Sequence, residues 1–135
     1  MALVIIALGV KFFRTADLPV EPVDQGPMAA GYVLVDTVDI LIMESFPLQA
    51  RVIIKGNFGD ACTKKNETKV QRTGNNFVID ISAQRPEAAI CAQVLTPFEE
   101  IVALDVLGLP KGVYGVTVNG RTEQFELSTE NTLAE

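Results

Sequence analysis

Cys62, in GDACTKKNE, and Cys91, in RPEAAICAQ, are the only cysteines of the chain. Their spacing is far too wide for a zinc knuckle or a C-x-x-C redox pair, both of which need sulfurs close in sequence. Two chemistries remain: a structural disulfide, or two unpaired thiols in a cytosolic protein. There is no His and no Trp. The absence of His removes the commonest general base and metal ligand, and every Ser-His or Cys-His nucleophile pairing. Neither catalytic residues nor a cofactor are therefore expected, and the chain reads as non-enzymatic.

Other charged residues fall in the same segments. Asp60, Glu87, Glu99 and Glu100 would gather oxygen ligands for Ca²⁺ if their loops met, but no D-x-D-x-D-G spacing is present. The default reading is therefore solvated loop charge and no metal. Lys64, Lys65, Arg85 and Arg121 would make a small positive patch, for which ordinary surface charge is again the default. Asn66-Glu67-Thr68 has the form of a glycosylation acceptor, a short and unspecific pattern. The net charge is −6 and the basic residues are scattered, so no nucleic-acid partner is expected.

What must position these groups is a set of strands. In a chain of 135 residues with 48% apolar and 21% charged side chains, a single core-forming domain is expected. The apolar period is two. Segments 32–44, 48–57, 67–73, 77–83, 98–106, 112–119 and 121–127 each alternate and are bounded by Gly, Pro, Asn or Asp. Phe77, Ile79 and Ile81 share one face, as do Val102, Leu104 and Val106, then Tyr114, Val116 and Val118, then Phe125 and Leu127. Asn119-Gly120 supplies the positive φ angles of a two-residue hairpin. The one helical candidate is RPEAAICAQVL, 85–95. About seven short strands with frequent turns predict an all-β, immunoglobulin-like antiparallel sandwich over 32–127, with residues 128–135 as a polar tail.

If successive strands run up and down, the loops holding Cys62 and Cys91 lie at one pole, together with the Asn119-Gly120 turn. A disulfide there closes a loop of roughly 30 residues and contributes about 3–4 kcal/mol in the chain-entropy model.

Before the domain lie two further segments. MALVIIALGVKFFR, 1–14, has an apolar run too short for a membrane span of ~20 residues. Three readings of it stay open: an export or anchor segment that associates with a membrane, an extra β-strand, or a buried helix. Residues 15–31, with Pro19, Pro22 and Pro27, form an extended tether. As a strand, Leu3, Val4, Ile5, Ile6, Leu8 and Val10 would complete a sheet of the same chain or of a neighbour. The accepting face would be Leu41, Met43, Ile53, Val78 and Ile101, which alternate away from the core-facing positions.

The stretches 38–62 and 81–120, with both cysteines and the PFEE and LPKG turns, resemble a family of bacterial secreted or lipid-anchored envelope domains. That resemblance implies an immunoglobulin-like sandwich, a Cys62–Cys91 pair, an extracytoplasmic location and no catalytic residues. Members carry a fuller signal and often a lipid-attached Cys at the N-terminus, and no such Cys occurs here. The expected function is an extracytoplasmic structural or self-assembling envelope module, paired with its own copies or other envelope proteins. The rival is a ligand-capture or inhibitor domain that uses the loops at the disulfide pole.

Overall fold

The structure, a computed structural model, describes residues 27–132. They form eight strands: β1 (Met28–Ala30), β2 (Val33–Met43), β3 (Gln49–Phe58), β4 (Lys64–Thr73), β5 (Asn76–Pro86), β6 (Thr96–Leu104), β7 (Gly112–Val118) and β8 (Arg121–Leu127). β2, β3 and β6 make one sheet, while β1, β4, β5, β7 and β8 make the other. Among the described residues there is no helix. The all-β sandwich is as expected, and the two-layer arrangement is consistent with an immunoglobulin-like plan.

The seven alternating segments are all strands. Their inward residues close one core between the layers: Val52, Ile54, Ile79, Val116 and Val118 are fully buried, with Phe77, Tyr114 and Phe125 beside them. Side chains point alternately to the two faces of a strand, so every second residue of β3 and β5 lands in this core. Each large aliphatic buried in this way contributes about 1.5–3 kcal/mol. The rings of Tyr114 and Phe125 stack at 5.6 Å. The Tyr114 hydroxyl, close to the core, donates to the Pro110 carbonyl at 2.6 Å, which gives the LPKG turn a partner for a phenol that would otherwise be costly to bury.

Four details differ from the sequence expectation. First, β5 and β7 run parallel, from Asn76↔Gly115 to Ile79↔Val118, within an otherwise antiparallel sandwich. The chain leaves β5 for β6 in the opposite layer and returns as β7, and that crossover brings two strands of the same direction side by side. Second, residues 85–95 are not helical. Arg85 and Pro86 still belong to β5, and the rest is a loop held by the disulfide and by the Ala61 N–H, which donates to Ala92 O at 3.1 Å. Third, part of the stretch read as tether is strand: Met28–Ala30 pair with Gln84–Pro86 of β5. Fourth, residues 128–135 are not simply a polar tail, because Asn131 is buried. Its side chain accepts from Leu48 N–H at 2.7 Å and donates to Leu48 O and Val106 O.

A bulge in β2 also shapes the face that this strand presents. The β2–β3 register shifts between Val35 and Thr37. Before it, odd residues (Val33, Val35) pack on the core; after it, even ones (Val38, Ile40, Ile42) do. Gly56 lies opposite Val35, where an added Cβ would fall on the Leu34 carbonyl oxygen and the Phe98 ring, so the close approach requires glycine.

Candidate functional site at the disulfide pole

The loops after β3 and β5 meet at one pole of the sandwich, and the Cys62–Cys91 disulfide joins them there, with Cα atoms 5.7 Å apart. Asp60 organises the first loop. Its Oδ1 accepts from Cys62 N–H at 3.0 Å, Thr63 N–H at 2.9 Å and the Thr63 hydroxyl at 2.8 Å. This Asx-type turn presents Cys62 to its partner. Asp60 Oδ2 lies 2.9 Å from Arg85 Nε, an ion pair between the end of β5 and the β3–β4 loop whose N–H is not aimed along a hydrogen bond. The Thr63 hydroxyl chiefly holds the Asp60 carboxyl below its ordinary value of 3.8. Burial opposes the shift, while the Cys62 N–H, the Arg85 charge and the Thr63 N–H reinforce it.

The Asn119-Gly120 turn, with φ of 47° and 90° as a two-residue hairpin requires, does not reach this pole: β7 ends beside Ile79 and Asn119 bonds Ile81, midway along β5. Beside it a cleft of ≈ 780 Å³ opens between the start of β2 and residues 81–83 of β5. Polar and apolar groups line it about equally, and no titratable pair converges there.

The carboxylates do not gather. Glu99 pairs with Lys55 at 3.7 Å, Glu100 with Lys65 at 2.7 Å and Asp60 with Arg85, while Glu87 is exposed. Charge neutralisation by separate cations takes the place of a shared cation site. Among the described residues, Asp60, Cys62 and Cys91 are the one trio with close ligand-type atoms, and both sulfurs are committed to the disulfide. The basic patch is likewise dispersed: Lys65 and Arg85 are paired, and Lys64 and Arg121 stand apart on the surface. Asn66 of the glycosylation-like triplet falls at an irregularity in the β4–β5 register.

Of the face expected to accept a strand, three residues form a line. Ile53 and Ile101 are directly opposite across β3 and β6, and Leu41 lies diagonal to Ile53, whose partner on β2 is Asp39. All three point away from the core; Leu41 is 48% and Ile101 55% exposed, with Ile53 half-buried. Met43 extends the line toward the far pole, half-buried, at the end of β2. Val78 does not join them. It sits on β5 in the other layer, opposite Gln71 and Thr117, because β5 belongs to the second sheet. Leu3, Val4, Ile5, Ile6, Leu8 and Val10 lie outside the described residues.

The stapled loop lies where the two cysteines are expected to meet, but its exposed apolar side chains are not among the expected site residues. Residues 88–95, AAICAQVL, carry no charge, and Ile90, Val94 and Leu95 are exposed, Ile90 completely so. The signal for it is an uncharged run without turn residues, a pattern that a short helix would share.

Comparison with known proteins follows this geometry. Residues 52–127, from β3 to the end of β8, match the ORF11 beta-sandwich domain. A protein of Herpetosiphon aurantiacus, described as an uncharacterized 10.2 kDa protein in the HgiCIIM 5' region, is 34% identical over 94 residues. That match covers 70% of this chain and 99% of the relative. A second, in the HgiBIM 5' region of the same organism, is 35% identical over 83 residues, 62% of this chain and 100% of the relative. No solved structure matches the chain. The family match spans both cysteines, the Asp60 turn and the stapled loop, and the chain belongs to the ORF11 beta-sandwich domain family.

Proposed function

We propose that this chain is a non-enzymatic, extracytoplasmic β-sandwich that serves a cell envelope as a structural, self-assembling module. The observation that carries the reading is the Cys62–Cys91 disulfide, which closes a separation of 29 residues between two loops. Such bonds persist in oxidising compartments and are rare where thioredoxin and glutathione keep thiols reduced. The lack of His supports the absence of hydrolytic chemistry.

The assembling face in this reading is the apolar line Leu41–Ile53–Ile101 on the outside of the β2–β3–β6 sheet, which a second copy would cover. β2 and β6 are the two edges of that sheet, and either is a acceptor for strand addition by residues 3–10 of a neighbour. Ligand capture at the disulfide pole is the second reading, favoured by the exposure of Ile90, Val94 and Leu95.

Light scattering on the full chain tests assembly. The expected result is a species larger than the 14.6 kDa protomer, reduced to the protomer by Ile53→Lys with Ile101→Lys. A protomer at every concentration overturns the assembly reading. Thiol labelling in intact and lysed cells tests the compartment: two thiols that react freely in the producing cell overturn the extracytoplasmic assignment.

A further inference from the structure

We infer that the disulfide-stapled loop is a lipid contact, and that Ile90, Val94 and Leu95 dip into the surface of a zwitterionic phospholipid bilayer. This inference rests on the envelope reading and says which pole would face the membrane. Residues 88–95 present eight uncharged side chains in succession, so their removal from water strands no ion. Ile90 is completely exposed, and Val94 and Leu95 are 55% and 58% exposed. Such a protruding tip fits a soft, planar partner better than a partner with a preformed pocket.

The loop is fixed by three ties: the disulfide and the Ala61–Ala92 hydrogen bond at its middle, and the Arg85–Asp60 ion pair at its start. Ordering it therefore costs little on contact. Beside it, Ala61, Cys62, Pro86, Ala88 and Ala89 line a recess of ≈ 520 Å³ with Lys64 as its one charged lining residue. An apolar recess with a single ammonium at its lip matches a phospholipid, its phosphate on Lys64 and its glycerol and acyl carbons within. Exposed Tyr32 stands near this pole, its carbonyl accepting from Gly59 N–H, and aromatic rings and lysines favour the headgroup level.

The described chain begins at this pole, where Pro27 O accepts from Glu87 N–H. The net charge of −6 selects a neutral bilayer over an anionic one. No helix among the described residues is long and apolar enough to cross a membrane.

The chain contains no Trp, so a single introduced Trp reports its own surroundings. Ile90→Trp and, at the opposite pole, Leu107→Trp are made in the oxidised full-length chain and mixed with phosphatidylcholine vesicles. Blue-shifted emission and quenching by brominated lipid at position 90, with a water-like spectrum at 107, is the expected result. Ile90→Asp should weaken vesicle binding about tenfold, and Lys64→Glu should weaken it further.

An unshifted spectrum at 90, an equal shift at both positions, or unaltered binding of Ile90→Asp each overturns the proposal. So does a shift at 90 that grows with protein concentration and needs no lipid, which would make the loop an interface between copies. Purified protein and vesicles are independent of compartment, so failure here is separable from failure of the envelope assignment.

Discussion

Asn119 stands beside Ile81 and satisfies both of its backbone groups with one side-chain amide. Oδ1 accepts from Ile81 N–H at 2.8 Å and Nδ2 donates to Ile81 O at 3.0 Å. The backbone of Asn119 meanwhile donates to Ile79 O at 3.1 Å. β7 ends with Val118 beside Ile79, and Gly31 resumes the edge of β5 by donating to Ala83 O. A side chain thus stands in for the strand missing between them. The same residue takes the positive φ of the hairpin turn, so it has two structural duties.

Substitution should separate those duties. Asn119→Gly keeps the turn conformation and loses the amide, leaving two backbone groups of Ile81 without their partner, at about 1–3 kcal/mol. Asn119→Ala adds the strain of a Cβ in the left-handed region, about 1 kcal/mol more. Urea unfolding at neutral pH should rank wild type above Asn119→Gly and Asn119→Ala last; equal stability of all three would refute the strand-substitute role.

Asn131 is the corresponding prediction near the C-terminus. Its buried amide makes three hydrogen bonds to Leu48 and Val106, which tie the chain after β8 to the β2–β3 turn and to the segment after β6. Asn131→Ala should cost about 2–4 kcal/mol, since buried partners are left unpaired. Glu130→Ala, at an exposed neighbour, should fall within about 0.5 kcal/mol of wild type. Thermal or urea unfolding of both variants measures the contrast.

The Asp60 turn makes stability depend on acid. The folded carboxyl is held below 3.8, chiefly by the Thr63 hydroxyl, so the folded protein binds this proton less readily than the unfolded chain. Its contribution is therefore complete above the unfolded value, about pH 4, and is lost as pH falls through the folded value. Urea midpoints between pH 2 and 6 should drop on the acid side. Asp60→Asn should be less stable at neutral pH and flatter across that window. An unchanged acid limb would mean that the turn is held by other groups.

What could be read from the chain alone was local. Side chains alternate along an extended backbone whatever the strand pairs with, so Phe77-Val-Ile-Asp-Ile announces a strand and its inward residues by itself. The Asn119-Gly120 turn follows in the same way from the φ angles those two residues tolerate. The shared pole of Cys62 and Cys91 follows from counting strands up and down. Pairing is a different matter, because it joins residues that no local pattern connects: Asn119 and Ile81 are 38 positions apart, Asn131 and Leu48 are 83. The crossover that sets β5 parallel to β7 also sends Val78 to the layer opposite Ile53. The bulge at Val35–Thr37 exchanges the faces of β2 partway along. Residues 85–95 carry a helix-compatible composition, yet Cys91 bonded to Cys62 and Ala92 bonded to Ala61 hold them as a loop, and those constraints outweigh a propensity of a few tenths of a kcal/mol per residue. Strand identity was thus set by side-chain alternation, and the site by which distant segments the folded layers bring into contact.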